Sequence, residues 1–87
     1  MELAVKYYEL KYGDGVDQAF IHLIREIGQI AYALETKNKA VFDAKVTEAM
    51  ALLKFLAHKH NVNIESNIET MYSKKLAHIN SKNMENR

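Results

Sequence analysis

Polar side chains interrupt an apolar helical pattern in the first half of the chain. Arg25 and Glu26 precede Gln29 by four and three residues, so on a helix the three side chains project as one cluster. Lys45 and Glu48 interrupt an apolar row further along the chain in the same way. Carboxylates that converge from two helices are the ligands that Mg²⁺ prefers, whereas cations in the same place form ion pairs or bind anions. The residue types therefore predict a polar site between two helices.

Four helices are predicted to position these residues. Apolar residues recur at helical spacing in four segments, and the breaks between them contain Gly13, the polar TKNK stretch and Asn61. Asn38 and Asn63 are suitable caps for the third and fourth helices. The absence of proline and the presence of only three glycines also favour helices. We place the helices at 2–12, 16–34, 40–60 and 64–80.

The predicted fold is an all-α four-helix bundle in which the second and third helices form the central hairpin. Residues 1–80 are assigned to a single domain, and residues 81–87 to a frayed C-terminal tail, because SKNMENR carries no helical pattern. The hairpin is central because it carries every residue of the polar cluster.

Each helix carries an apolar repeat, and the repeat of the second helix is expected to be its buried face. On the first helix this repeat is Leu3, Tyr7 and Leu10. On the second helix it is Val16, Phe20, Leu23, Ile27, Ile30 and Leu34. On the fourth helix it is Ile64, Ile68, Met71 or Tyr72, Leu76 and Ile79.

The third helix carries two apolar faces. Its expected core face is Phe42, Val46, Ala49, Met50, Leu53, Leu56 and Ala57. Its second face is Val41, Lys45, Glu48, Leu52 and Phe55. A helix with two apolar faces has more surface to bury than one neighbouring helix covers, which predicts contact with another subunit.

Length and composition also favour self-association. A chain of 87 residues forms one domain, and a domain of this size buries only about 60–65% of the surface of its unfolded chain, which leaves its stability marginal. The chain has no cysteine, so disulfides and thiolate metal sites are excluded. Oligomerisation is then the expected extra source of stability, and we expect a homodimer or a dimer of dimers.

The sequence predicts a cytoplasmic location and no membrane partner. No apolar run approaches the roughly 20 residues that span a bilayer, and the N-terminal stretch MELAVKYYELK contains acidic residues where a signal peptide is basic and then apolar. The net charge of +1 provides no strong field, so nucleic-acid binding is not expected.

Two stretches of the chain resemble the MazG-like family of all-α nucleoside triphosphate pyrophosphohydrolases. That family reads approximately F-x-x-L-x-E-E-x-G-E-L-A-x-A-L, followed on the next helix by E-L-A-D-x-x-x-x-L-x-x-L-A. The matching stretches here are FIHLIREIGQIAYAL, from Phe20 to Leu34, and KVTEAMALLKFLA, from Lys45 to Ala57. The resemblance extends over residues 16–79 and implies a helical fold, a nucleotide as partner, and Mg²⁺ as the cofactor if the chain is active.

The acidic positions of the family motif correspond here to Arg25, Glu26, Gln29, Lys45 and Glu48. The resemblance therefore implies that Glu26 and Glu48 are the candidate metal ligands. Arg25, Gln29 and Lys45 replace acids. The cations among them are expected either to form salt bridges with the remaining carboxylates or to bind a phosphate or another anion. The replacements predict weakened or lost hydrolysis of a nucleoside triphosphate to a monophosphate and pyrophosphate.

Further candidates lie outside these motif positions. Tyr72, Lys74 and Lys75 can contact a triphosphate from the last helix, or can belong to a solvated helix end whose cations suit the helix dipole. His22 lies one turn before Glu26, where it either joins a metal site or is an ordinary boundary histidine. The alternative function is a non-catalytic helical homo-oligomer that acts as a binding or assembly module.

Overall fold

A computed structural model describes residues 2–85 of the chain. Every regular element in this range is a helix, and the helices are α1 (Leu3–Tyr12), α2 (Val16–Glu35), α3 (Lys39–Lys59) and α4 (Ile64–Glu85). The all-α, four-helix prediction is thus confirmed, and the bounds of the first three helices agree with the predicted ones to within one residue. The last helix continues to Glu85, past Asn80, and the end of the predicted tail lies outside the described residues.

Asparagine residues form the breaks before α3 and α4. The Asn38 side chain accepts a hydrogen bond of 3.2 Å from the backbone N–H of Val41, and Asn63 accepts one of 3.1 Å from that of Ser66. Each of these bonds satisfies a backbone donor that the first turn of a helix leaves free. Asn61 adopts a φ of 57°, a left-handed conformation that ends α3. The predicted caps and the predicted stop are therefore confirmed.

The core lies between the α2–α3 hairpin and α1. The two hairpin helices make the most extensive contact in the chain, and α1 packs mainly on α3. The Tyr8 ring of α1 lies 6.1 Å from the Phe55 ring of α3, measured between centroids. The buried cluster consists of Tyr8, Ala19, Leu23, Ala49, Leu52 and Phe55.

The predicted core faces of the hairpin helices are wrong in part. On α2, Phe20 and Ile27 were expected inside, yet 52% and 49% of their surfaces are exposed. On α3 the core takes Leu52 and Phe55 from the second apolar face and only Ala49 from the expected one, and Leu53 of the expected face is 41% exposed. Helical spacing identifies apolar faces but does not determine which of two adjoining faces meets the neighbouring helix.

Small residues explain which face of the hairpin is buried. Ala19 and Ala33 of α2 and Ala49 of α3 are buried, and side chains of this size allow helix axes to approach closely. On α1 the buried residues are Val5 and Tyr8, whereas Leu3 and Leu10 of the apolar repeat are exposed.

The last helix, α4, stands apart from the others. It makes few contacts with α1, α2 or α3, and its predicted apolar stripe is exposed beyond the half-buried Ile64. The Cα radius of gyration is 16.9 Å, whereas a compact domain of this length has about 12 Å. The stripe exists as predicted, but this chain alone does not bury it.

No helix in residues 2–85 combines the length and the apolar character that crossing a membrane requires.

Candidate functional site

A charged cluster lies inside the α2–α3 contact. Glu26 shares the buried face of α2 with Ala19 and Leu23, and only 4% of its surface is exposed. Lys45 and Glu48 project from the facing side of α3 and are half-buried. The cluster therefore adjoins the apolar core and is held by the same helix contact.

Lys45 reaches both carboxylates. Its ammonium Nζ lies 3.4 Å from Oε2 of Glu26 on the facing helix and 3.7 Å from Oε2 of Glu48 on its own helix. Within residues 2–85 the buried Glu26 Oε2 has no hydrogen bond of good geometry, so the ion pair with Lys45 is its main compensation. A buried charge without a partner is strongly destabilising. Lys45 therefore balances the negative charge at a position where the family motif carries another acid.

His22 extends the cluster toward α1. Its ring nitrogen Nε2 lies 3.5 Å from Glu26 Oε1, and its other nitrogen, Nδ1, shares a hydrogen bond of 2.8 Å with the Tyr12 hydroxyl. The tyrosine contact fixes the orientation of the imidazole and leaves Nε2 directed at Glu26. This is the arrangement in which a histidine can bind a cation through one nitrogen while the other is held by the protein.

The two carboxyl groups differ in acidity. Burial raises the pKa of Glu26, but the shared polar contact with Glu48 and the charge of Lys45 outweigh it and lower the pKa overall. The same contact with Glu26, followed by burial, raises the pKa of Glu48. Glu26 is therefore expected to ionise at a lower pH than Glu48. The stabilisation from ionised Glu26 is present above its unfolded pKa and is lost as the pH falls through its lowered pKa.

The cluster contains the donor set for a divalent cation. His22, Glu26 and Glu48 each offer a ligand atom, and these atoms lie within 4.8 Å of one another. A donor set of two carboxylates and one imidazole favours Mn²⁺ or Zn²⁺ over Mg²⁺, because imidazole suits transition metals and Mg²⁺ prefers oxygen ligands. The Lys45 ammonium occupies the space beside the same oxygens, so a bound cation has to displace it.

Two of the predicted cluster residues lie elsewhere. Arg25 and Gln29 are exposed, and neither makes a side-chain hydrogen bond or an ion pair with any residue of the described range. Each residue of a helix is turned by about 100° from the one before it. Glu26 can therefore face α3 while Arg25, its immediate neighbour, faces solvent.

The candidate phosphate contacts are also remote from the cluster in this chain. Tyr72, Lys74 and Lys75 are exposed on α4, and Lys75 lies over the Tyr72 ring with its ammonium 5.5 Å from the centroid. Because α4 makes few contacts with the hairpin, these residues do not join Glu26 and Glu48 within one copy.

The Tyr12 contact is the part of the site that sequence reasoning missed. Tyr12 ends α1, and a short Gly-containing turn separates it from the helix that carries His22. That turn folds α1 back onto the hairpin, and a tyrosine at the end of α1 is then within reach of the first turns of α2. The only available signal was the aromatic residue directly before the glycine turn.

Comparison with protein-family models, curated proteins and solved structures finds no match to this chain. The resemblance to the MazG-like family stays a prediction from the motif residues. The ion pairs of Lys45 with Glu26 and Glu48 are observed in the structure and do not depend on that resemblance.

Replacing Lys45 is expected to change the pKa of Glu26. In the Lys45→Met variant the pKa of Glu26 rises, because the cation is removed while burial of the carboxyl remains. Carbon-13 NMR of the glutamate carboxyls, followed against pH, measures this directly, and in the unaltered protein it is expected to show Glu26 titrating below Glu48. The matched control is Lys39→Met, since Lys39 pairs at 2.9 Å with exposed Asp43 on the same helix. An unchanged Glu26 titration in Lys45→Met would contradict the assigned ion pair.

Proposed function

We propose that this chain is a self-associating helical module with a MazG-like scaffold whose catalysis is weakened or lost. The observation that carries the proposal is the amount of apolar surface that one copy leaves uncovered. The charged cluster supplies a second, independent argument about catalysis.

The exposed area is too large for a compact monomer. The chain has a mass of 10.0 kDa and exposes 6933 Å², whereas a folded monomer of that mass exposes about 5,200 Å². The excess is about 1,700 Å², and each partner in an interface of standard size buries about 800 Å². One copy therefore has enough surplus surface for an extensive interface.

The surplus surface is rich in large apolar side chains. On α4, Leu76 and Ile79 are more than half exposed, and on α2 so are Phe20 and Ile24. Large exposed apolar patches mark interaction sites, and an isolated helix gains too little from its own hydrogen bonds to be stable in water. A partner that covers α4 thus stabilises the helix. A homodimer or a dimer of dimers meets this need without another protein.

The charged cluster supports reduced catalysis. Metal-assisted phosphoryl chemistry requires carboxylates that converge on cations and leave room for the phosphates. Here Lys45 lies within 4 Å of both carboxylates and adds a positive charge beside them. A divalent cation at the same place is repelled by that ammonium. In this proposal the cluster stabilises the hairpin.

A second candidate function is Mg²⁺-dependent hydrolysis of a nucleoside triphosphate to a monophosphate and pyrophosphate. It is favoured by the convergence of His22, Glu26 and Glu48 within 4.8 Å. A bound Mg²⁺ supplies charge neutralisation for the phosphates. Glu26 and Glu48 would hold the cation, and the His22 imidazole would contribute a further ligand or orient Glu26.

Under either candidate function we propose that the chain is located in the cytosol. A chain without cysteine is compatible with a reducing compartment. Its net charge of +1 gives little attraction to a nucleic-acid backbone, so the proposal includes no nucleic-acid partner.

The assembly proposal predicts a concentration-dependent mass. Sedimentation equilibrium over a range of protein concentrations is expected to give twice or four times the mass of the chain. The thermal midpoint is expected to rise with protein concentration, because association stabilises the folded state by mass action. A single species with the mass of one chain throughout, and a midpoint that does not move, would contradict the proposal.

The enzyme candidate has a separate test. Phosphorus NMR of ribo- and deoxynucleoside triphosphates, incubated with the protein and Mg²⁺ or Mn²⁺, is expected to show the triphosphates intact. Metal-dependent pyrophosphate that disappears in Glu26→Gln would instead establish the hydrolase. Glu35→Gln is the matched control, since this exposed carboxyl lies on the same helix outside the cluster.

A further inference from the structure

The chain has two uncovered apolar surfaces. The first, which we call the hairpin face, consists of the exposed Phe20, Ile24, Ile27 and Leu34 of α2 and, on α3, of the exposed Leu53 and the half-buried Phe42 and Val46. The second, which we call the α4 stripe, consists of Ile68, Met71, Tyr72, Leu76 and Ile79. Members of the α4 stripe are between 49% and 59% exposed. Neither surface has a partner within residues 2–85.

The seven residues of the hairpin face lie on one side of the hairpin. On each helix the centre of this face is turned by about 100° from a buried residue, Glu26 on α2 and Leu52 on α3. Because the two helices run antiparallel, the same rotation on both brings the exposed side chains to the same side. The opposite side is covered by α1, whose Tyr8 packs against Phe55 and whose Tyr12 bonds to His22.

The α4 stripe matches the hairpin face in length and character. An α-helix rises about 1.5 Å per residue, so the stripe from Ile68 to Ile79 extends over about 17 Å and the face from Phe20 to Leu34 over about 21 Å. Both surfaces consist of large aliphatic and aromatic side chains. A helix laid along the groove between two helices is a common way to complete such a layer.

The α4 helix of the same copy is badly placed to cover this face. Its first turns border a cleft that is also lined by Val5 of α1 and Met50 of α3, with Ile64 and Ile68 on the α4 side. The first turns of α4 therefore lie beside α1 and α3, and the helix makes few contacts with the hairpin. Its stripe residues from Ile68 to Ile79 are exposed, so α4 does not cover the hairpin face of its own copy.

We propose that α4 of one copy lies on the hairpin face of a second copy, and that the second copy returns its own α4 in the same way. This inference rests on the proposed self-association and adds its geometry. When each α4 stripe packs on the hairpin face of the other copy, both uncovered surfaces are buried. Reciprocal exchange about a two-fold axis gives a closed dimer. The combined surplus area of two chains is about 3,400 Å², within the range of about 2,000–5,000 Å² for obligate homodimers.

Cysteine cross-linking tests the exchange directly, because the chain has no cysteine of its own. Ile27 and Tyr72 lie near the centres of the hairpin face and the α4 stripe, so they approach each other whichever way α4 is oriented. One copy carries Ile27→Cys and a second, differently tagged copy carries Tyr72→Cys. The two are unfolded together, refolded and treated with a short bis-maleimide.

The exchange predicts efficient cross-linking between differently tagged copies for this pair. The control pair of Leu10→Cys with Tyr72→Cys is expected to give at least tenfold less product, because Leu10 is an exposed residue of α1 outside both surfaces. Equal yields from the two pairs would overturn the inference.

Single-variant samples separate the alternatives. Cross-linking of Ile27→Cys to itself in place of the mixed pair would show that two hairpin faces meet directly, which overturns the exchange and leaves the self-association standing. A mass of one chain in sedimentation would overturn both.

Charge substitutions give a second measurement. Ile27→Glu and Leu76→Glu are each expected to raise the dimer dissociation constant at least tenfold, because each places a carboxylate in the same apolar interface. Leu10→Glu is the matched control and is expected to leave the constant unchanged. Circular dichroism checks that each variant is helical. Weakening by Ile27→Glu but not by Leu76→Glu would overturn the assignment of α4 as the occupant.

Discussion

The buried carboxylate of Glu26 is the constraint on which the rest of the structure depends. A group that ionises readily lies in the contact between two helices with only 4% of its surface exposed, and this position is tolerable only with a compensating charge. Lys45 provides that charge from the facing helix at 3.4 Å. The pair therefore favours one rotation of α2 against α3, in which Leu23, Leu52 and the small alanines meet in the core.

That rotation has a consequence on the other side of the hairpin. Turning Glu26 and Lys45 inward leaves the neighbouring apolar residues, including Phe20 and Ile27, facing outward. With α1 on the opposite side and α4 making few contacts with the hairpin, one copy has an uncovered layer and an uncovered helix. The proposed self-association follows from the same contact that neutralises the cluster, so the proposed assembly and the proposed loss of catalysis would have a common physical origin.

The helix boundaries and part of the candidate site could be predicted from the sequence alone. Asn38, Asn61 and Asn63 mark the helix ends because capping and left-handed turns are local properties of a few residues. Spacing grouped Glu26 with Arg25 and Gln29, and Lys45 with Glu48, and the motif resemblance joined the two groups into one predicted site. These inferences need only the geometry of a single helix and the assumption that neighbouring helices form a hairpin.

The remaining features depend on how helices meet, which spacing does not determine. Arg25 and Glu26 are adjacent in sequence, yet one faces solvent and the other the core, because the buried face is set by tertiary contact. Both apolar faces of α3 were visible, but the buried surface combines Ala49 of one face with Leu52 and Phe55 of the other, because contact with α1 and α2 determines it. The direction of α4 depends on the short turn after Asn61.

The central claim is that Lys45 stabilises the hairpin by compensating the buried charge of Glu26. A double-mutant cycle of Glu26→Gln and Lys45→Met, with unfolding free energies from urea titration at one protein concentration, tests it most directly. The account predicts that Lys45→Met alone is destabilising and that it costs less when Glu26→Gln is already present, with a coupling of about 1 kcal/mol or more. Additive effects, equal to within about 0.5 kcal/mol, would contradict the claim.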